Sequence, residues 1–504
     1  MRGVISAGDK TTAIAGRKIF EMGGNAFDVA CGAMLTAPLS EPMLTSLGGG
    51  GFMLTYENSK PTMYDFFVDV PPKREENPDF YPIYIDFGST IQEFHIGSAS
   101  IAVPGVLAGI YQIHKEKGKL PLSEIVKPAI EYAKEGIYLS KLQASFVKLL
   151  EPIMTSTDLA KKLFVKDEKM IDETHLFKNS EYANFLEAFA KEGAKLFYEG
   201  EIADKIDKLS RENEGIIRKE DLTNYRVIKR DPIDFRFKNY EIITNPPPSA
   251  GGILIAFALK LLENRDLKEY GSIEHIQNLI ETLVVSADFR KEFINEHLHR
   301  EGLAEILKDS HLIENFLRSQ KSRVNLWGNT THISVIDEEG NSATVTTTNG
   351  EGSGYIIPNT GIMLNNMLGE EDLNPHGFFQ WPPYVRLPSM MAPTIVLEKG
   401  KPKLILGSSG SNRIRSAIVQ GVVNNLLFDK SVSEMTHASR VHYENQKLFF
   451  EPGFDKKIIE SSKKLYEVTK FDEQNIFFGG VNAVTGDLEG GSDPRRGGCV
   501  EVVR

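Results

Sequence analysis

The sequence predicts an α/β protein whose order of elements is compatible with a layered sandwich of two sheets between helices. Three observations carry that expectation. The first 56 residues read as helix, glycine loop and strand; the chain from Val103 to about Glu314 reads mostly as amphipathic helix; and after Lys321 it turns to short, β-branched strands followed by a helix.

Taken in order, residues 6–47 set small and apolar side chains at helical spacing and run into Gly48, Gly49, Gly50 and Gly51, then the strand-like residues 52–56. A glycine loop that cradles phosphate is followed by Lys and Ser or Thr; here Phe52 and Met53 follow, so close backbone packing is the expected role. Residues 120–134 and 180–192 are amphipathic helices, and few strands are expected in this part of the chain. Pro246, Pro247, Pro248, Ser249, Ala250, Gly251 and Gly252 make a stiff turn and then a flexible one before a helix over 253–262. Strands are expected at 333–336, 343–348, 362–364, 393–397 and 403–406, and a helix at 413–427.

The chain has 504 residues, 41% hydrophobic and 25% charged, enough to bury a large core, and reads as a soluble globular protein. A net charge of -11, with lysines interleaved among acids, argues against a nucleic-acid partner, which requires clustered cations. Cys31 and Cys499 are the only cysteines, so neither a disulfide framework nor a cysteine metal site is expected. His297 and His299 lie two apart in a helical stretch and do not share a face, which sets a metal site aside. With no apolar leader and no long apolar window, the expectation is a cytoplasmic protein without a membrane anchor, metal or cofactor.

The segment richest in chemistry is Thr330, Thr331, His332, Ile333, Ser334, Val335, Ile336 and Asp337, a turn over 338–341, and residues 342–348. A hairpin with Gly340 in the turn is expected to pair Asp337 with Ser342, setting Thr331 opposite Thr348 and Thr330 beside Asn349. A threonine hydroxyl is a weak nucleophile without a nearby base. Cutting the bond between Asn329 and Thr330 would supply one, because an α-amino group has a pKa near ~8. Alone, Thr-Thr is also ordinary strand composition and His332 an ordinary core residue.

These residues do not stand alone. Together with Gly23, Gly24, Asn25, Ala26 and Asp28, the glycine run 48–51, Val103-Pro104-Gly105, Pro128-Ala129-Ile130, residues 246–252, Asp288 with Arg290, Gly352-Ser353-Gly354, Asn365-Asn366, Pro393-Thr394-Ile395 and Ser492-Asp493-Pro494-Arg495, the sequence resembles the γ-glutamyltranspeptidase family nearly end to end. The resemblance implies the four-layer αββα fold of N-terminal-nucleophile hydrolases, a single unit over 1–504. It also implies cleavage at Asn329-Thr330 into a mostly helical fragment 1–329 and a small fragment 330–504 that stay associated. Thr330 is then the nucleophile, Thr348 the hydroxyl beside it, and Gly410 and Ser411 carry the backbone N–H groups that hold the oxyanion.

The substrate-binding positions depart from the family. Phe67 stands where the family has the arginine that clamps a glutamyl carboxylate, Met367 where it has glutamine, Glu370 where it has aspartate, and Ser389 with Met390 where it has two serines. Asn349 is the candidate for the family's asparagine near the hairpin. The implied enzyme keeps the reaction and changes the acyl group, favouring a smaller or more apolar amide or peptide. Two alternatives stay open. One is γ-glutamyl transfer with Arg386 or Arg413 as the new clamp; the other is a binding protein that is never processed. The sequence allows a homo-oligomer.

Overall fold

The computed structural model describes residues 1–86, 91–263, 265–300, 302–308 and 330–504. The expected cleavage residue Asn329 and the end of the helical stretch after 308 lie outside the described residues.

Thirteen strands build the two central sheets: β1 (Gly3–Ala7), β2 (Gly50–Glu57), β3 (Lys60–Phe66), β4 (Ile228–Arg230), β5 (Ile233–Phe237), β6 (Tyr240–Thr244), β7 (Thr331–Asp337), β8 (Ser342–Thr348), β9 (Thr394–Glu398), β10 (Lys401–Ser409), β11 (Gly480–Thr485), β12 (Gly490–Gly491) and β13 (Cys499–Val503). The first sheet has the order β4-β3-β2-β8-β7-β1-β13 and the second β5-β6-β9-β10-β11-β12. They face each other where β7 and β8 cross β10 and β11. Helices α1 (Lys10–Glu21), α2 (Ala26–Ser40) and α3 (Val106–Lys117) cover the first sheet; α4 (Ala250–Glu263), with α5 (Ile273–Phe289) against it, and α6 (Arg413–Phe428) cover the second. The result is the expected four-layer αββα sandwich.

Local chemistry sets the boundaries. The stretch expected as one helical segment over 6–47 is divided: β1 comes first, Asp9 caps α1 by accepting from Thr11 N–H at 2.7 Å, and Gly23, at φ +93°, breaks the chain before α2. Asn25 and Asp28 form a capping box at the start of α2. The interior of α2 is Ala, Gly, Cys, Met and Leu with hardly a polar face, because it is packed against the sheet on one side and other helices on the other. The glycine run packs as expected: a Cβ on Gly48 would stand 2.3 Å from the Met363 carbonyl oxygen, and one on Gly49 2.1 Å from that of Thr348. The expected helix 120–134 is two short ones, Leu122–Ile125 and Lys127–Glu135, while Ser180–Glu192 forms as read.

The region read as mostly helical holds three strands of the central sheets, β4 to β6, and four two-residue strands, Ile137–Tyr138, Val165–Lys166, Lys169–Met170 and Leu176–Phe177; β1, β3 and β11 to β13 were not expected either. Among the described residues no helix is long and apolar enough to cross a membrane. His297 and His299 are structural: the first bonds the Phe293 carbonyl at 2.7 Å and the second the Arg386 carbonyl at 2.8 Å.

Candidate functional site

The β7–β8 hairpin corrects the expected register by one residue. Ile336 pairs with Ser342 and Thr331 with Thr347. Asp337 ends β7 beside Gly3 of β1 and opens the turn instead of pairing with Ser342: its N–H donates to the Asn341 carbonyl at 3.1 Å, and Gly340, at φ +83°, donates back to the Asp337 carbonyl at 2.9 Å. The Asp337 carboxylate accepts from the N–H groups of Glu339 and Asn341 and, on its other oxygen, from Ala26 N–H at the start of α2. Because a one-residue change moves every side chain to the other face, the correction matters for chemistry. It brings Thr330 level with Thr348, and both line one cleft.

Alternation along β7 assigns the faces. His332, two residues on from Thr330, points between the sheets. A Cβ on Gly407 of β10 would stand 2.2 Å from its ring, and its nitrogens bond the hydroxyls of Thr346 at 2.8 Å and of Ser334 and Thr344 at 3.0 Å. Complete burial lowers its pKa to about 3, so His332 is a neutral core residue rather than a base.

The apolar wall of the cleft includes Phe67, Ala250, Leu298, Pro388, Met390 and Met391. Phe67 stacks on Phe52 at 5.4 Å, and Gly50 makes room for it, since a Cβ there would stand 2.9 Å from its ring. The Ser389–Met391 segment is held against the start of α4: the Ser389 carbonyl accepts from Ala250 N–H at 2.8 Å and the Ser249 hydroxyl at 3.1 Å. The Ser389 hydroxyl is engaged with Met391 N–H at 3.0 Å.

The polar wall includes Arg290, Glu370, Asp372, Ser411 and Asn412. Burial, reinforced by Asp372, pushes Glu370 up to about 8, so it is largely neutral at pH 7. Burial also raises Asp372 to about 6, opposed by Arg290 and by the Ser411 hydroxyl, which donates to it at 3.0 Å. Gly410 and Ser411 form the turn between β10 and α6. Gly410 has φ +109°, and a Cβ on it would stand 2.8 Å from the Gly479 Cα. Ser411 lines the cleft and Gly410 precedes it directly.

Two expected binding residues are not among those lining the cleft. Met367 is buried at the start of the turn Met367–Gly369, which delivers Glu370 to the cleft instead. Asn349 is 1% exposed, and its Oδ1 has no hydrogen-bond partner among the described residues. Both arginines suggested as a replacement clamp are also corrected. Arg386 pairs with Asp65 at 2.9 Å and Asp69 at 2.7 Å, and Arg413 lies over Phe477 facing Glu444. Neither lines the cleft; Arg290 does, from the π-helical turn Arg290–Ile294 that continues α5, and it donates to the Asn412 side-chain oxygen. Its signal was the spacing Asp288-x-Arg290, legible but not connected to the cleft.

The sequence model of the family Gamma-glutamyltranspeptidase matches residues 12–503. The glutathione hydrolase proenzyme of Escherichia coli (strain K12) is 30% identical over 539 aligned positions, covering 98% of this chain and 90% of that protein. The acylase ACY 1 proenzyme of Pseudomonas sp. (strain V22) is 27% identical over 510 positions, covering 97% and 90%. Cephalosporin acylase from Bacillus halodurans superposes with a TM-score of 0.86 at 20% identity, over 99% of this chain and 95% of that one, a likeness of fold.

Proposed function

Because this chain belongs to the γ-glutamyltranspeptidase family, we propose that it is a self-processing amidohydrolase or acyltransferase that works through a threonyl ester on Thr330. The observation that carries this reading is the corrected hairpin register, which brings Thr330 and Thr348 to one strand end in a cleft shared with Ser411.

The chain folds as one unit and is cut between Asn329 and Thr330: the Thr330 hydroxyl attacks the Asn329 carbonyl, the acyl group passes from nitrogen to oxygen, and water hydrolyses that ester, leaving a carboxylate on Asn329 and a free α-amine on Thr330. The two fragments remain associated because β7 and β8 lie inside the first sheet, bonded to β1 and β2 of the large fragment. In the reaction the Thr330 oxygen attacks the carbonyl of a small amide or peptide, and its own α-amine takes the proton. The oxyanion is held by the N–H groups of Gly410 and Ser411, an arrangement worth about 10²–10³ in rate per donor. The amine then leaves carrying the proton, and water or an acceptor amine attacks the ester. Thr348 donates to the Thr330 oxygen and holds it in line. Phe67, Met390 and Leu298 favour an apolar acyl group.

A γ-glutamyl head is the second reading, and one observation favours it: Arg290 and Glu370 supply a cation and an acid in the same cleft. The intact mass under denaturing conditions and the N-terminal sequence of any fragment test the proposal. A small fragment beginning Thr330-Thr331-His332 is expected, Thr330→Ala should stay one polypeptide, and Thr331→Ala should still cut at least partly. Equal cutting by both variants would remove Thr330 from its role. Anilides of an apolar acid and of γ-glutamate then separate the two substrate readings.

A further inference from the structure

An α-amine can serve as base only after the bond before Thr330 is broken, so the uncut chain must hold Thr330 in place by other means. On the far face of β7 from the cleft lies a buried set of groups that the proposed reaction does not use. Thr331 points to the helical side, where its hydroxyl donates to Glu41, 2.9 and 3.0 Å from the two carboxyl oxygens. Glu41 is the C-cap of α2 and is 1% exposed. Four residues on, the Thr45 hydroxyl meets that of Thr347 at 2.8 Å, while the N–H groups of Leu44 and Thr45 donate to the Glu41 carbonyl. One short turn therefore grips the neighbour of Thr330 and the neighbour of Thr348. Gly8 closes the pair in, since a Cβ there would stand 2.4 Å from Glu41 Oε1 and 2.7 Å from Thr331 Oγ1.

Two charged groups face Glu41: Asp9, the N-cap of α1, and Arg496, from the turn Pro494–Arg496. Arg496 also borders the other functional loop, its Nη2 standing 3.4 Å from where a Cβ on Gly410 would lie. Its Nε and Nη1 are buried without a partner among the described residues.

We propose that Glu41 is a positioning residue for self-cleavage, fixing Thr330 through the Thr331 hydroxyl, and that it does so in its protonated form. The inference rests on the reading that the bond before Thr330 is cut. Burial and then Asp9 push Glu41 up to about 8, against the Thr331 bond and Arg496. At pH 7 the neutral acid and the hydroxyl can each donate to the other. Ionisation leaves a buried carboxylate on one hydroxyl donor, repelled by Asp9, and the strand end loosens.

The test follows cutting of the full chain, made in a cell-free translation and transferred to buffers from pH 6 to 9.5, on denaturing gels. No α-amine exists at Thr330 in the uncut chain, so its titration cannot enter the profile. The expected result is a ratio of wild-type to Glu41→Gln rates that is level near pH 7 and falls about tenfold by pH 9, as the protonated fraction of a group with pKa about 8 falls. Thr331→Ser should keep that fall and Thr331→Val should cut slowly without it. Parallel wild-type and Glu41→Gln profiles would overturn the inference while leaving self-processing intact. So would a Thr331→Val profile that still falls, and that arm decides the matter if Glu41→Gln does not fold. A wild-type chain that never cuts at any pH overturns the self-processing reading itself, and this inference with it.

Discussion

Gly407→Ala tests how closely the two sheets meet behind the nucleophile. The new Cβ would stand 2.2 Å from His332 Cε1, 2.6 Å from Nδ1 and 2.7 Å from Nε2, so the ring or the strand has to move. The ring has nowhere to go without surrendering its bonds to Thr346, Ser334 and Thr344. Overpacking of this kind costs about 1–3 kcal/mol and each of the three neutral hydrogen bonds lost about 1 kcal/mol, giving a destabilisation of about 4–6 kcal/mol. β10 runs straight into Gly410 and Ser411, so a shift of about 1 Å there should also slow turnover by up to about 10²-fold. Urea unfolding supplies the first number and single-substrate kinetics the second. His332→Ala removes the clash partner; the double variant should be less destabilised than the sum of the singles by more than about 1 kcal/mol. A Gly407→Ala protein within about 0.5 kcal/mol of wild type, or strict additivity in the double variant, would refute the close approach.

Two further outcomes follow from charges near the cleft. Arg386→Met breaks a buried cluster in which Arg386 holds Asp65 and Asp69, and should cost about 3–5 kcal/mol in urea unfolding, because the carboxylates stay behind; a neutral result would mean that Arg230 alone satisfies Asp65. Glu370, neutral below about 8, becomes an anion as pH rises through that value. For an acyl donor bearing a quaternary ammonium group, which keeps its charge, KM should therefore fall between pH 7 and 9 more steeply in the wild type than in Glu370→Gln, whereas identical profiles would show that Glu370 does not meet the donor.

The sequence made the hairpin legible because its turn and its alternation are both local signals. It missed the register by one because Asp337, a strand residue toward β1, opens the turn toward β8, where its carboxylate ties that turn to α2, more than three hundred residues away in the chain. β5 was readable in principle: Ile233, Phe235 and Phe237 are buried and Asp234 and Arg236 exposed, a clean two-residue period that was overlooked inside a helical region. β1, β11 and β13 are a different matter, being short and buried on both faces or at an edge, where composition alone does not separate strand from helix. Among the expected site residues, Phe67, Thr330, Thr348, Glu370, Ser389, Met390 and Ser411 line the cleft, and Gly410 adjoins it. Met367 and Asn349 were assigned by counting along loops, where one 3₁₀ turn is enough to exchange which side chain faces inward.

The change at Phe67 is therefore larger than one substitution. Its ring depends on Phe52 for a stacking partner and on Gly50 for space, while Asp65, two residues before it, is already saturated by Arg230 and Arg386 and by the Phe67 N–H. An arginine placed at 67 would have to bury its stem against Phe52, with the acids nearest in the chain already engaged. Among the described residues that line the cleft the cation is Arg290, just past the end of α5, tied to Asn412 beside Ser411. Relative to the clamp that the resemblance implies at position 67, a positive charge at a helix end would hold any acidic group of an acyl donor at a different point. With Thr330 as the proposed nucleophile and 410–411 as the proposed oxyanion turn, such a cleft would select for a donor of different length and shape while leaving the strand pair undisturbed.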